Sequence, residues 1–151
     1  MGRTSIGHKI EGRNTAVVQL VVENIWNQGE LTMADRLFAP AYVNHGGIIP
    51  DSVHGPEAVK IMVALFRTAF PELHITIEGL TAVGNTVDLQ WTAGRTSDNA
   101  PHIGQADQRP EQLTGTTFST LANGKILESW TDWDHVNALR RLRVIPPDAQ
   151  A

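Results

Sequence analysis

Cysteine is absent from this 151-residue chain. Disulfides, thiolate nucleophiles and Cys-based metal sites are therefore excluded, and a cytoplasmic location is expected. Positive charge is scarce as well. Twelve Lys and Arg stand against sixteen Asp and Glu, a net charge of −4, whereas a nucleic-acid footprint needs basic residues gathered on one face. The one basic cluster, Arg140-Arg141 with Arg143, falls near the end of a short predicted helix, where cations suit the helix dipole. Long hydrophobic runs are missing too. Ala16 to Val18 and Ile61 to Phe66 fall far short of the ~20 residues of a membrane span, so no membrane partner is expected. Met1 to Arg13 is polar and lacks the apolar core of a signal peptide. The six histidines show neither i, i+4 pairing nor a His-x-His spacing, so no metal site is expected.

What is present suits one domain. Residues 1–13 are expected to form a flexible extension, 14–147 the folded domain and 148–151 a tail. Val17, Val18, Val21, Val22, Ile25 and Trp26 recur at helical spacing, which predicts a helix from Asn14 or Thr15 to Asn27, stopped by Gly29. A short helix follows, with Thr32 as N-cap, Asp35 three residues on and Pro40 as its end. Ala41 to Gly47 reads as a short extended piece. Pro56 opens a third helix with Val59, Met62, Val63, Phe66 and Ala69 on one face, and Pro71 closes it.

From Leu73 the period becomes two. Leu73, Ile75 and Ile77 alternate with polar residues, as do Val87, Leu89 and Trp91. Thr96 to Pro110 reads as a long loop. Strands from about Leu113 to Leu121 and Ile126 to Trp133 flank an Asn123-Gly124 turn, and a last helix runs from His135 to Leu142. Helices first and hairpin-linked strands after imply an α+β fold, three N-terminal helices packed on a strongly curved, mostly antiparallel sheet. A sheet bent in this way encloses a cone-shaped cavity, which is a default ligand site.

Several segments match one family in order: Trp26-Asn27-Gln28-Gly29, Leu37 to His45, Gly55-Pro56-Glu57, Ala69 to Leu73, Asn123 to Ile126, Glu128-Ser129-Trp130 and Trp133-Asp134. Over roughly Thr15 to Pro147 the chain resembles the SnoaL-like polyketide cyclases, also called ester cyclases, of the nuclear-transport-factor-2-like superfamily. The resemblance implies a cofactor-independent acid/base enzyme that closes a ring by an intramolecular aldol step on an apolar carbonyl compound, or isomerises it, and a homodimer formed through the outer face of the sheet. In that family an Asp on the last strand is the general base, supported by a pocket His. Those positions correspond here to Thr131 and Thr117, whose hydroxyls form hydrogen bonds and do not titrate near neutral pH.

Alternation puts Ser129, Thr131 and Trp133 on one face of the last strand and Trp130 and Asp132 on the other. A bulge shifting the register by one would turn Asp132 inward as a base. The expected catalytic residues are His45, at the cavity mouth in relatives, and Asp132. Tyr42, Trp91, Thr117, Ser119, Ser129, Thr131 and Trp133 are expected to line the pocket, and Asp134 to cap the last helix. Two other readings stay open. One is a non-catalytic ligand-binding or accessory domain, which needs no buried base. The other is an epoxide hydrolase using an Asp-Arg-Asp arrangement, for which Asp88 and Arg95 are the nearest residues.

Overall fold

The valine-rich stripe at the N-terminus becomes the longest helix in the computed structural model of the protein, which describes residues 5–45, 53–95 and 113–132. Helix α1 spans Ser5–Leu20 and runs on through a wider π turn, Val21–Trp26. It begins upstream of Asn14, so residues 5–13, set apart from the sequence as a flexible extension, continue the same helix. Glu11 and Asn14 tie that helix to the sheet. The Gly84 N–H donates to Glu11 Oε2 at 2.7 Å, and buried Asn14 donates to the Gly84 carbonyl at 3.5 Å.

A 3₁₀ turn, Leu31–Met33, leads into α2, Ala34–Leu37. Thr32 does not cap it; neither start has a side-chain cap. Its end is held instead by Lys125, whose Nζ donates to the carbonyls of Asp35 and Arg36 at 3.3 and 3.0 Å. Strand β1, Phe38–His45, follows at once, so Pro40 lies inside a strand rather than at a helix end. Proline is tolerated there because β1 is at the sheet edge. Helix α3, Pro56–Ala69, starts behind Gly55 at φ +79°, whose N–H donates to the Tyr42 carbonyl at 2.7 Å. A Cβ at Gly55 would stand 2.5 Å from the Pro40 carbonyl oxygen, so glycine alone fits this junction.

Strands β2 (Leu73–Val83), β3 (Thr86–Arg95), β4 (Leu113–Ala122) and β5 (Lys125–Asp132) complete an open five-stranded sheet in the order β1-β5-β4-β3-β2. Three pairings are antiparallel and β1 runs parallel to β5. Asn123 and Gly124 both take positive φ in the β4–β5 turn, as an Asn-Gly hairpin requires. Irregularities at Ile77/Gly79, Thr120/Leu121 and Phe38/Val43 bend the strands.

One face of this curved sheet packs on the helices. Val18, Val22 and Ile25 of the first helix and Val59 and Val63 of α3 meet Val87, Leu121 and Ile126. Each such side chain contributes about 1.5–3 kcal/mol through burial. The last predicted helix lies outside the described residues. Among those described, no helix is long and apolar enough to cross a membrane.

Candidate functional site

Between the helices and the inner sheet face the packing stops short of filling the space. A cavity of about 140 Å³ remains, close to the ~150 Å³ at which an apolar protein cavity takes up benzene. Val18, Val21, Val22, Met62, Phe66 and Leu89 give it an apolar wall. The π turn serves this wall, since it carries Val21, Val22 and Trp26 onto the cavity side.

The Trp26-Asn27-Gln28-Gly29 motif anchors that wall. The Asn27 side chain donates to the Ile75 carbonyl at 2.9 Å and accepts from the Ile75 N–H at 2.7 Å. Arg67 donates to the Trp26 carbonyl at 2.7 Å, passing Gly29, where a Cβ would stand 3.0 Å from its Nε. The motif is thus a clamp between first helix, α3 and β2.

Two neutral polar clusters enter the apolar hollow. In the first, the Trp91 indole N–H donates to Thr117 at 3.0 Å, the Thr117 and Thr131 hydroxyls lie 3.3 Å apart, and Thr131 donates to Asn44 Oδ1 at 3.2 Å. Direction is forced, because an indole only donates and an amide oxygen only accepts. Thr117 must therefore donate to Thr131. Both hydroxyl protons are committed, and the Asn44 amide N–H is left facing Met62 Sδ, a weak acceptor 3.9 Å away. The second cluster is buried. Ser119 and Ser129 hydroxyls are 2.8 Å apart, and burial pushes the Tyr42 hydroxyl up to about 12, against a smaller opposing pull from Ser129. Tyr42 therefore stays a neutral phenol.

Of the residues expected at the pocket, Tyr42, Trp91, Thr117, Ser119, Ser129 and Thr131 line this cavity. Trp133 and Asp134 lie outside the described residues. The two residues expected to be catalytic are elsewhere. Thr117 pairs with Thr131 and Thr116 with Asp132, which leaves Asp132 exposed on the outer face. A bulge does exist in β5, but between Ile126 and Glu128. It lets Ile126 and Ser129 both turn inward, and from there plain alternation keeps Asp132 out.

His45 is likewise on the outer face, 2.5 Å from Glu128 Oε2 and stacked on Trp130 with ring centroids 5.3 Å apart. Its odd spacing from Tyr42 explains this, since residues three apart on a strand face opposite ways. Asn44, two residues from Tyr42, is the inward residue, and the same alternation could have found it. Asp88 pairs with Phe118 on the outer face, opposite in sense to cavity-lining Leu89, so the Asp-Arg-Asp reading gains no acid here. Among the described residues the cavity lining contains no Asp, Glu, His, Lys or Arg, and no three His, Asp or Glu side chains gather to hold a metal ion.

The sequence pattern of SnoaL-like polyketide cyclases matches residues 16–142, and the chain belongs to that family. The fold is similar to a candidate polyketide cyclase from Bacillus cereus ATCC 10987, at 20% identity over 88% of this chain and 82% of that one, with a TM-score of 0.69. It is similar as well to IdmH, a candidate polyketide cyclase from Streptomyces antibioticus (23% identity, 86% and 98% covered, TM-score 0.64). A third similar structure is AclR, a candidate hydroxylase from Streptomyces galilaeus (19% identity, 90% and 84% covered, TM-score 0.63). At these identities the likeness defines the fold alone, since chemistry resides in sites rather than folds. No curated protein matches the sequence.

Proposed function

We propose that this chain binds a neutral, largely apolar carbonyl compound in the cavity and acts on it through neutral hydrogen-bond donors. One observation supports this above the rest. The two positions that carry a base and its histidine in the cyclase family are Thr131 and Thr117, joined in a chain whose protons all run toward Asn44. A carbonyl oxygen is the acceptor to which the remaining Asn44 amide N–H would donate, and a charged ligand would find no counter-ion in the described lining. Binding with polarisation of the carbonyl follows from these groups; proton abstraction by residue 131 does not.

The test uses acetophenone, a one-ring ketone with exchangeable protons next to the carbonyl. Calorimetry in deuterated buffer measures binding, and proton NMR measures exchange at the methyl group. The wild type is expected to bind it without accelerating exchange. Thr131→Asp, which installs a carboxylate on the inner wall, is expected to accelerate exchange at least tenfold over the wild type. Rapid exchange by the wild type would defeat this reading and favour the acid/base enzyme; absence of binding would defeat both.

We also propose that two copies associate through the outer sheet face. Phe118 and Trp130 are cross-strand partners there, 45% and 43% exposed, and form an aromatic patch that a second copy would cover.

A further inference from the structure

We infer that Gly115 sets the width of the cavity, by leaving bare the stretch of β4 on which the Trp91 indole lies. This deepens the ligand-site reading above and rests on it for the identity of what enters. Trp91 and Gly115 are direct cross-strand partners on the inner face. A Cβ at Gly115 would stand 2.3 Å from Trp91 Cζ2 and 2.8 Å from both Cε2 and Cη2. Distances of that kind are not met between real atoms, so the ring occupies the very space a side chain at 115 would take.

The same indole reaches along β4 to Thr117, two residues on, and donates to its hydroxyl at 3.0 Å. Contact at 115 and hydrogen bond at 117 together lay the ring lengthwise on the strand. Backbone φ does not explain the glycine, since Gly115 is not among the glycines with positive φ. Room for the ring does.

Any side chain at 115 would drive the indole off β4. The strand backbone blocks one direction, so the ring moves toward the hollow, breaks its bond to Thr117 and takes up volume from a cavity of only about 140 Å³. Gly115 is therefore a specificity-determining position that touches no ligand itself. A chain with glycine here admits a planar ring against the indole; a larger residue would restrict entry to smaller, non-planar compounds.

The experiment compares the wild type, Gly115→Ala and the double variant Gly115→Ala/Trp91→Phe, first without ligand and then with acetophenone. In the wild type, the Gly115 α-protons are expected to show a strong upfield ring-current shift, and the Trp91 indole N–H slow solvent exchange. In Gly115→Ala, the indole N–H is expected to lose that protection and acetophenone affinity to fall at least tenfold. The smaller phenyl ring of the double variant is expected to restore affinity to within about threefold of a Trp91→Phe control. If Gly115→Ala fails to fold while the double variant folds, the steric clash is upheld. Protection and affinity both unchanged in Gly115→Ala would overturn the inference, as would an affinity loss that Trp91→Phe does not repair. A wild type that binds no acetophenone defeats the ligand reading alone, because the ligand-free indole signals still decide what Gly115 does to the ring.

Discussion

Tyr42 is the chain's single tyrosine, so its ionisation can be followed in the intact protein without interference from another phenol. The side chain is 4% exposed on β1, and burial lifts its pKa from 10.0 to about 12. At about 1.4 kcal/mol for each tenfold change in proton affinity, this displacement corresponds to about 3 kcal/mol between folded and unfolded states. A folded pKa above the unfolded one means that the native chain holds its proton more tightly. The stabilisation is thus fully present below pH 10.0 and drains away as pH rises from there through about 12.

Near-ultraviolet absorbance of the phenolate, recorded against pH, should give a midpoint near 12 in the native protein and near 10 in concentrated urea. Urea midpoints at several pH values should show the wild type losing stability relative to Tyr42→Phe above pH 10, with the two curves parallel below it. Comparison with the variant removes the contribution of lysines titrating over the same range. A native, reversibly folded sample whose phenol titrates near 10 would refute the buried placement of Tyr42, and with it the inner face assigned to β1.

Asn27→Ala should cost about 1–3 kcal/mol, because the Ile75 N–H and carbonyl both lose their partner; that is a melting shift of about 2–4 °C per kcal/mol for a chain of this size, and amide exchange at Ile75 should quicken selectively. Asn27→Asp, which keeps the acceptor but sets a carboxylate against the Ile75 carbonyl, should be no better than Ala. His45→Ala and Asp132→Asn should leave acetophenone affinity within about twofold, since both side chains are on the outer face; a tenfold loss in either would mean that the outer face communicates with the cavity. Trp130→Glu should convert a dimer to a monomer in sedimentation, and an unchanged sedimentation profile would remove the outer-face association.

Periodicity carried most of the fold. The valine stripe, the Pro56 helix and the alternating strands all form where the sequence implied, because each depends on contacts that local patterning encodes. The boundary at residue 13 was not legible: the polar stretch from Ser5 shows no apolar stripe, and its helix is tied in by Glu11 and Asn14 to a hairpin some seventy residues away. Pro40 misled for a similar reason, since only the strand order reveals that β1 is an edge where proline is harmless.

At the site, alternation correctly grouped Ser129 with Thr131, but His45 was selected for its place at the cavity mouth in relatives rather than its parity with Tyr42. The directed chain from Trp91 to Asn44 joins four strands, and no local pattern announces it. Gly115 opposite Trp91 was equally hidden, because their pairing depends on a register spanning a long connection.

Asn27 imitates, with one side-chain amide, the pair of hydrogen bonds that a neighbouring strand would offer to Ile75 on the outermost strand. The opposite border of the sheet contains Pro40, which has no N–H to offer. Both margins are thereby made poor templates for a stray chain. Copies that meet during synthesis or after partial unfolding are steered away from indefinite strand-by-strand growth, and a clamp that shapes the ligand hollow doubles as a guard against fibre formation.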